Sequence, residues 1–201
     1  MFEFLISNLP VDCVFLNKNQ KIQIITVALK TVLNKKNSSN VSYRRRFFNW
    51  LSNDYQEEEL KHENKQTIEL IVSAFKSLFN TYIYTQANSK AECSNNLRLH
   101  ESLYILEMFL KYQENIRVDM FKEVVVIVIM AICKERIKGE DFTLTTDAFS
   151  SIMSINDDFK LFVWESALLC ISKRENEKRF DKDAVNEYLI INYCFKFHKV
   201  G

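Results

Sequence analysis

Two glycines and one proline, Gly139, Gly201 and Pro10, are all that 201 residues contain. Tight hairpin turns commonly draw on glycine and many loops on proline, so the scarcity points to helices joined by polar links rather than to a sheet. It also removes the glycine-dependent phosphate sites. Neither GxxxxGK[ST] nor GxGxxG occurs, which excludes a P-loop NTPase and a Rossmann dehydrogenase. Charge of one sign is missing as well: 27 Lys and Arg face 26 Asp and Glu. Without a net positive field, nucleic acid is not an expected partner through broad electrostatics, and any anion recognition must be local.

The five cysteines, Cys13, Cys93, Cys133, Cys170 and Cys194, are scattered and odd in number, and the last three sit in apolar contexts. That is the pattern of small hydrophobes in a reducing compartment, and cytoplasmic thiols are expected. Residues 1–10 lack the basic start and long apolar stretch of a secretory signal. No segment approaches the ~20 apolar residues needed to cross a bilayer.

What is present is helical periodicity. Hydrophobic residues make up 47% of the chain, enough to bury a core. Phe2, Leu5, Ile6 and Leu9 mark a short first helix that stops at Pro10. Asn17 or Asn19 can cap a second, carrying Ile22, Ile25, Leu29 and Val32 or Leu33 and ending near Lys35 and Lys36. After the polar link 37–42, Ser42 or Asn40 can cap a third over about 43–51. From about Asn64 to Tyr84, Ile68, Ile71, Val72, Phe75, Leu78, Phe79 and Tyr82 form the clearest amphipathic stripe. Leu99, Leu103, Leu106, Phe109 and Leu110 mark another, ending around 113–115. Thr145 or Thr146 can open a short helix with Phe149, Ile152 and Met153. Asn156 or Asp157 can open one with Phe159, Phe162, Val163, Ala167, Leu168 and Ile171. Residues 172–179 read as a solvated charge run, and a last helix from Asp181 or Asp183 carries Val185, Tyr188, Leu189 and Tyr193.

The most apolar stretch runs from Phe121 to Lys138, with ten unbroken apolar residues from Val124 to Cys133. Its length, and flanking charges that suit a helix dipole, predict a buried central helix; a buried strand is the alternative, because Val and Ile dominate. The fold class expected is therefore all-α: antiparallel helical pairs, either an armadillo- or HEAT-like α-solenoid fragment or an irregular α-bundle. Residues 1–201 are expected to form one helical domain.

No catalytic constellation emerges. His62, His100 and His198 lack metal-ligand spacing, consecutive Glu57, Glu58 and Glu59 point in different directions on a helix, and no GxSxG elbow occurs. The chain is read as non-enzymatic, with no catalytic, metal or cofactor-binding residues and no small-molecule substrate. One local charge concentration stands out, formed by Lys35, Lys36, Arg44, Arg45 and Arg46. It can contact an anionic partner, lipid headgroup or nucleic acid, through bidentate arginines. The competing reading is structural: arginines paired with carboxylates or laid over the aromatic residues that follow.

Phe2-Glu-Phe-Leu ending in Leu9-Pro10, Ala28-Leu-Lys-Thr-Val-Leu33, and Arg45-Arg-Phe-Phe-Asn-Trp-Leu51 together resemble the N-terminal region of the Dopey family, which has a similar order of elements. The resemblance covers residues 1–51; residues 52–201 share only helical character. It implies a non-catalytic scaffold of α-helical repeats in vesicle-mediated protein transport between Golgi and endosomes. The implied location is cytoplasmic and peripheral to those membranes. Partners would be trafficking proteins, a large Arf-exchange-factor-like scaffold among them. Members of that family are far longer, so the 201 residues would be part of a longer helical-repeat region.

Overall fold

The computed structural model describes residues 13, 15–33, 41–52, 61–84, 98–137 and 143–176. Seven helices account for nearly all of them: α1 (Lys18–Val32), α2 (Val41–Ser52), α3 (Lys61–Tyr84), α4 (Leu99–Tyr112), α5 (Arg117–Ile137), α6 (Thr143–Met153) and α7 (Asp158–Asn176). No strand occurs among the described residues, and the all-α expectation holds. The helices expected near the two ends of the chain, at 2–9 and from 181 or 183, lie outside the described residues.

Local chemistry explains where several helices start. Asn17 caps α1: its side chain accepts from the Gln20 backbone N–H at 3.0 Å, and the Gln20 side chain accepts in return from the Asn17 N–H at 3.0 Å. At α4 the Glu101 carboxylate accepts from the Arg98 backbone N–H at 2.8 Å. At α7 the Asn156 side chain accepts from the Asp158 N–H at 2.8 Å. Helix α2 starts at Val41 and already includes Ser42, while the other expected cap, Asn40, lies outside the described residues; α6 already includes both Thr145 and Thr146. Thr145 is buried there, while the Thr146 hydroxyl donates to the Thr143 carbonyl at 2.8 Å. Residues 172–176 of the charge run are the end of α7.

Links without glycine or proline connect α4 to α5 at 113–116 and α6 to α7 at 154–157. Backbone bonds close the first, with the Ile116 N–H on the Gln113 carbonyl and the Met120 N–H on the Ile116 carbonyl. Hydroxyls inside helices are satisfied locally: Thr26, Thr31 and Ser73 each donate to the carbonyl four residues back.

Packing follows a rule of alternation. Helix α1 packs on α3, α3 on α5 and α5 on α7, while α4 packs on α6. Aromatic contacts join α2 to α4, through Phe48 with Phe109 and Tyr112. Phe109 is wholly buried and also meets Phe75 of α3 edge-on at 5.3 Å, tying three helices together. The core is continuous from Ile25 and Leu29 through Phe47, Phe75 and Phe79 to Val124, Val128 and Phe159.

The apolar run of α5 is the inner helix expected, with Phe121, Val124, Val125, Val128, Ile129 and Ile132 buried between α3 and α7. It is not covered on every side, however: Val126 and Met130 are exposed. A helix in a layered stack keeps one arc toward solvent, and here that arc is charged at Asp119, Lys122 and Glu123 and apolar at Val126 and Met130.

Candidate functional site

The arginine cluster on α2 is divided by helical geometry. Arg44, Phe47, Phe48 and Leu51 recur at i, i+3, i+4 and i+7, so all four share one face, and all four are buried. Arg44 is only 8% exposed, and its guanidinium lies over the Tyr112 ring at 5.6 Å from the centroid. The Phe48 ring stacks on the same tyrosine at 5.0 Å. Arg44 thus joins α2 to the end of α4 by a cation–π contact, with its aliphatic stem among aromatic rings.

Arg45 and Arg46 leave the buried stripe and are exposed. No acidic residue occupies the first turn of α2 to offset them against the helix dipole. Lys35 and Lys36 lie outside the described residues, as do Glu57, Glu58 and Glu59. Of the five candidate contacts, the structure therefore places Arg45 and Arg46 toward solvent and Arg44 in the core. The periodicity of Arg44 with Phe47, Phe48 and Leu51 was the signal that distinguishes it from its neighbours.

Among the described residues, no group of three or more His, Cys, Asp and Glu is arranged to hold a metal ion. His100 is half-buried on α4. The His62 side chain and His198 lie outside what is described. Cys13 is a free thiol, half-buried. An open cleft of about 310 Å³ lies between the start of α1 and α3, lined by Leu16, Lys18, Lys21, Gln66, Glu69 and Leu70. Its size is at the small end for ligand sites, and its lining is two lysines, one amide, one carboxylate and two leucines, none of them buried.

A second surface went unseen in the sequence. Phe121 of α5 and Phe159 of α7 stack at 4.2 Å between centroids, fixing the register of the two helices. Val126 and Met130 lie five and nine residues beyond Phe121, and Trp164 and Leu168 lie five and nine beyond Phe159. All four are exposed, and Leu161 joins them on α7. On α1 the exposed residues include Gln23, Val27 and Thr31, and on α3 they include Gln66, Glu69 and Ser77. Among the described residues the solvent side is thus mostly polar on the first pair of alternating helices and mixed charged and apolar on the second.

Comparison with family models, with curated proteins and with solved structures finds no significant match. Among the described residues no helix is long and apolar enough to cross a membrane.

Proposed function

We propose that the chain is a non-catalytic helical interaction module, similar to the Dopey family, that serves vesicle-mediated protein transport between Golgi and endosomes. It belongs in this reading to a longer helical-repeat protein, cytoplasmic and peripheral to those membranes. It requires no cofactor and works by binding trafficking proteins, a large Arf-exchange-factor-like scaffold among them.

The supporting observation is the alternating packing. In a paired-helix solenoid each unit touches only its neighbours, and every second helix lies on the one before it. Helices α1, α3, α5 and α7 succeed one another in that order. Such stacks present extended surfaces to protein partners, and the reading adopts the solenoid over the irregular bundle for that reason. The residue resemblance over 1–51 supplies the trafficking context.

Imaging of the tagged chain beside Golgi and endosomal markers, with affinity purification and mass spectrometry, tests it. Punctate overlap and recovery of trafficking proteins are expected. Diffuse distribution with recovery of nucleic acid or a metabolite overturns the reading.

A second reading, an anionic-lipid or nucleic-acid module, draws on one observation: Arg45 and Arg46 are both exposed on a helix whose first turn has no acid. In that reading Arg45→Gln with Arg46→Gln weakens binding to phosphatidylserine vesicles or to nucleic acid, the latter with a steep salt dependence. Unchanged binding by the double variant removes it.

A further inference from the structure

We propose that the in-register outward faces of α5 and α7 receive an amphipathic helix of a partner protein, one that carries lysine or arginine beside its apolar stripe. The inference rests on the interaction-module reading and names the surface and the chemistry of its partner.

The apolar component is Val126 and Met130 on α5 with Leu161, Trp164 and Leu168 on α7. Val126 and Met130 are 39% and 40% exposed, and Leu161 and Leu168 are 53% and 48% exposed. Phe121 and Phe159 stack where α5 meets α7, so the exposed residues of the two helices belong to neighbouring elements. A helix bearing apolar residues at i, i+3, i+4 and i+7 lays its stripe against such an exposed apolar face. The equivalent sides of α1 and α3 are mostly polar, so the feature is local to α5 and α7 and not a general property of the stack.

The charges around this face decide what kind of helix fits. Glu123, Asp157, Asp158 and Glu165 are exposed on these two helices and the link before α7. Two of these carboxylates are paired, Asp157 with Lys160 at 3.0 Å and Glu123 with Lys76 of α3 at 3.6 Å, while Lys122 keeps its charge over the Phe162 ring at 5.7 Å. Asp158 and Glu165 have no ion-pair partner among the described residues. A basic helix gains from these carboxylates, whereas an anionic membrane surface is repelled by them.

The test uses the full chain and two labelled designed peptides. Both have leucine at i, i+3, i+4, i+7 and i+11; one has lysine on its polar face and the other glutamate. Fluorescence anisotropy measures affinity, and the Met130 methyl resonance reports where the peptide sits. The lysine peptide is expected to bind at least about tenfold tighter than the glutamate peptide, to shift Met130, and to lose about tenfold in affinity on Leu161→Glu with Leu168→Glu. Leu161→Ser with Leu168→Ser is the second variant, which keeps the test sound if glutamates disturb α7. Equal affinity for the two peptides, an unmoved Met130 signal or an unaffected variant overturns the proposal. So does concentration-dependent self-association, or binding to phosphatidylserine vesicles, that the variants abolish, since a second copy or a membrane would then be the occupant. If the peptides fail while the variants still recover trafficking proteins, this face is wrong and the interaction-module reading stands.

Discussion

Phe121 and Phe159 stack with centroids 4.2 Å apart and planes tilted by 26°, both wholly buried, and this one contact sets the height of α7 against α5. Truncating either ring removes a large buried side chain and opens a cavity. Phe159→Ala is expected to cost about 3–5 kcal/mol by urea unfolding. A double-mutant cycle with Phe121→Ala should show coupling of about 0.5–1.5 kcal/mol beyond the separate losses. Strict additivity would mean that the stack does not fix the register.

Opposite sides of α5 should respond oppositely to charge. Val128→Glu places a carboxylate at a wholly buried position, and a loss of several kcal/mol, about 3–5, is expected. Met130→Glu, two residues on but facing solvent, should leave the melting temperature close to that of the parent. Thermal unfolding followed by circular dichroism distinguishes them, and equal melting of the two variants would refute the assigned burial.

The three arginines of α2 should separate in the same assay. Arg44→Gln loses the contact over Tyr112 and packing against its neighbours, and about 1–2 kcal/mol of destabilisation is expected. Arg45→Gln and Arg46→Gln, at exposed positions, should each cost less than Arg44→Gln. A parallel loss for all three would place Arg44 among the surface charges instead.

At the start of α1, Asn17→Ala removes the side-chain acceptor for the Gln20 N–H. A cost of about 1 kcal/mol is expected, with Asn17→Asp or Asn17→Ser retaining most of the stability. Hydrogen exchange in the first turn of α1 should quicken in the alanine variant alone.

Much of this architecture was legible in the residues. The stripe Ile71, Val72, Phe75, Leu78 and Phe79 and the stripe Leu99, Leu103, Leu106, Phe109 and Leu110 are buried as their spacing predicts. The same rule, applied to Arg44 with Phe47, Phe48 and Leu51, would have separated Arg44 from Arg45 and Arg46. Sequence proximity suggested a cluster where helical rotation divides it. Ser42, Thr145 and Thr146 lie inside α2 and α6 rather than before them because Ser and Thr can cap a helix or lie within its first turn, and only the packing around them selects between the two.

For the stretch from Phe121 onward, the sequence by itself determined that a helix forms and that it lies largely inside, because a ten-residue apolar run flanked by charge has few other stable placements in water. It could not determine which arc of that helix is covered, since Val, Ile and Met on all sides carry no directional signal. Only the tertiary structure decided that Val124, Val128 and Ile132 are buried, on a helix packed against α3 and α7, and that Val126 and Met130 are left to solvent. The physical reason is that burial is set by which neighbours arrive and at what register, here fixed by Phe121 on Phe159, and not by the hydrophobicity of the residue alone.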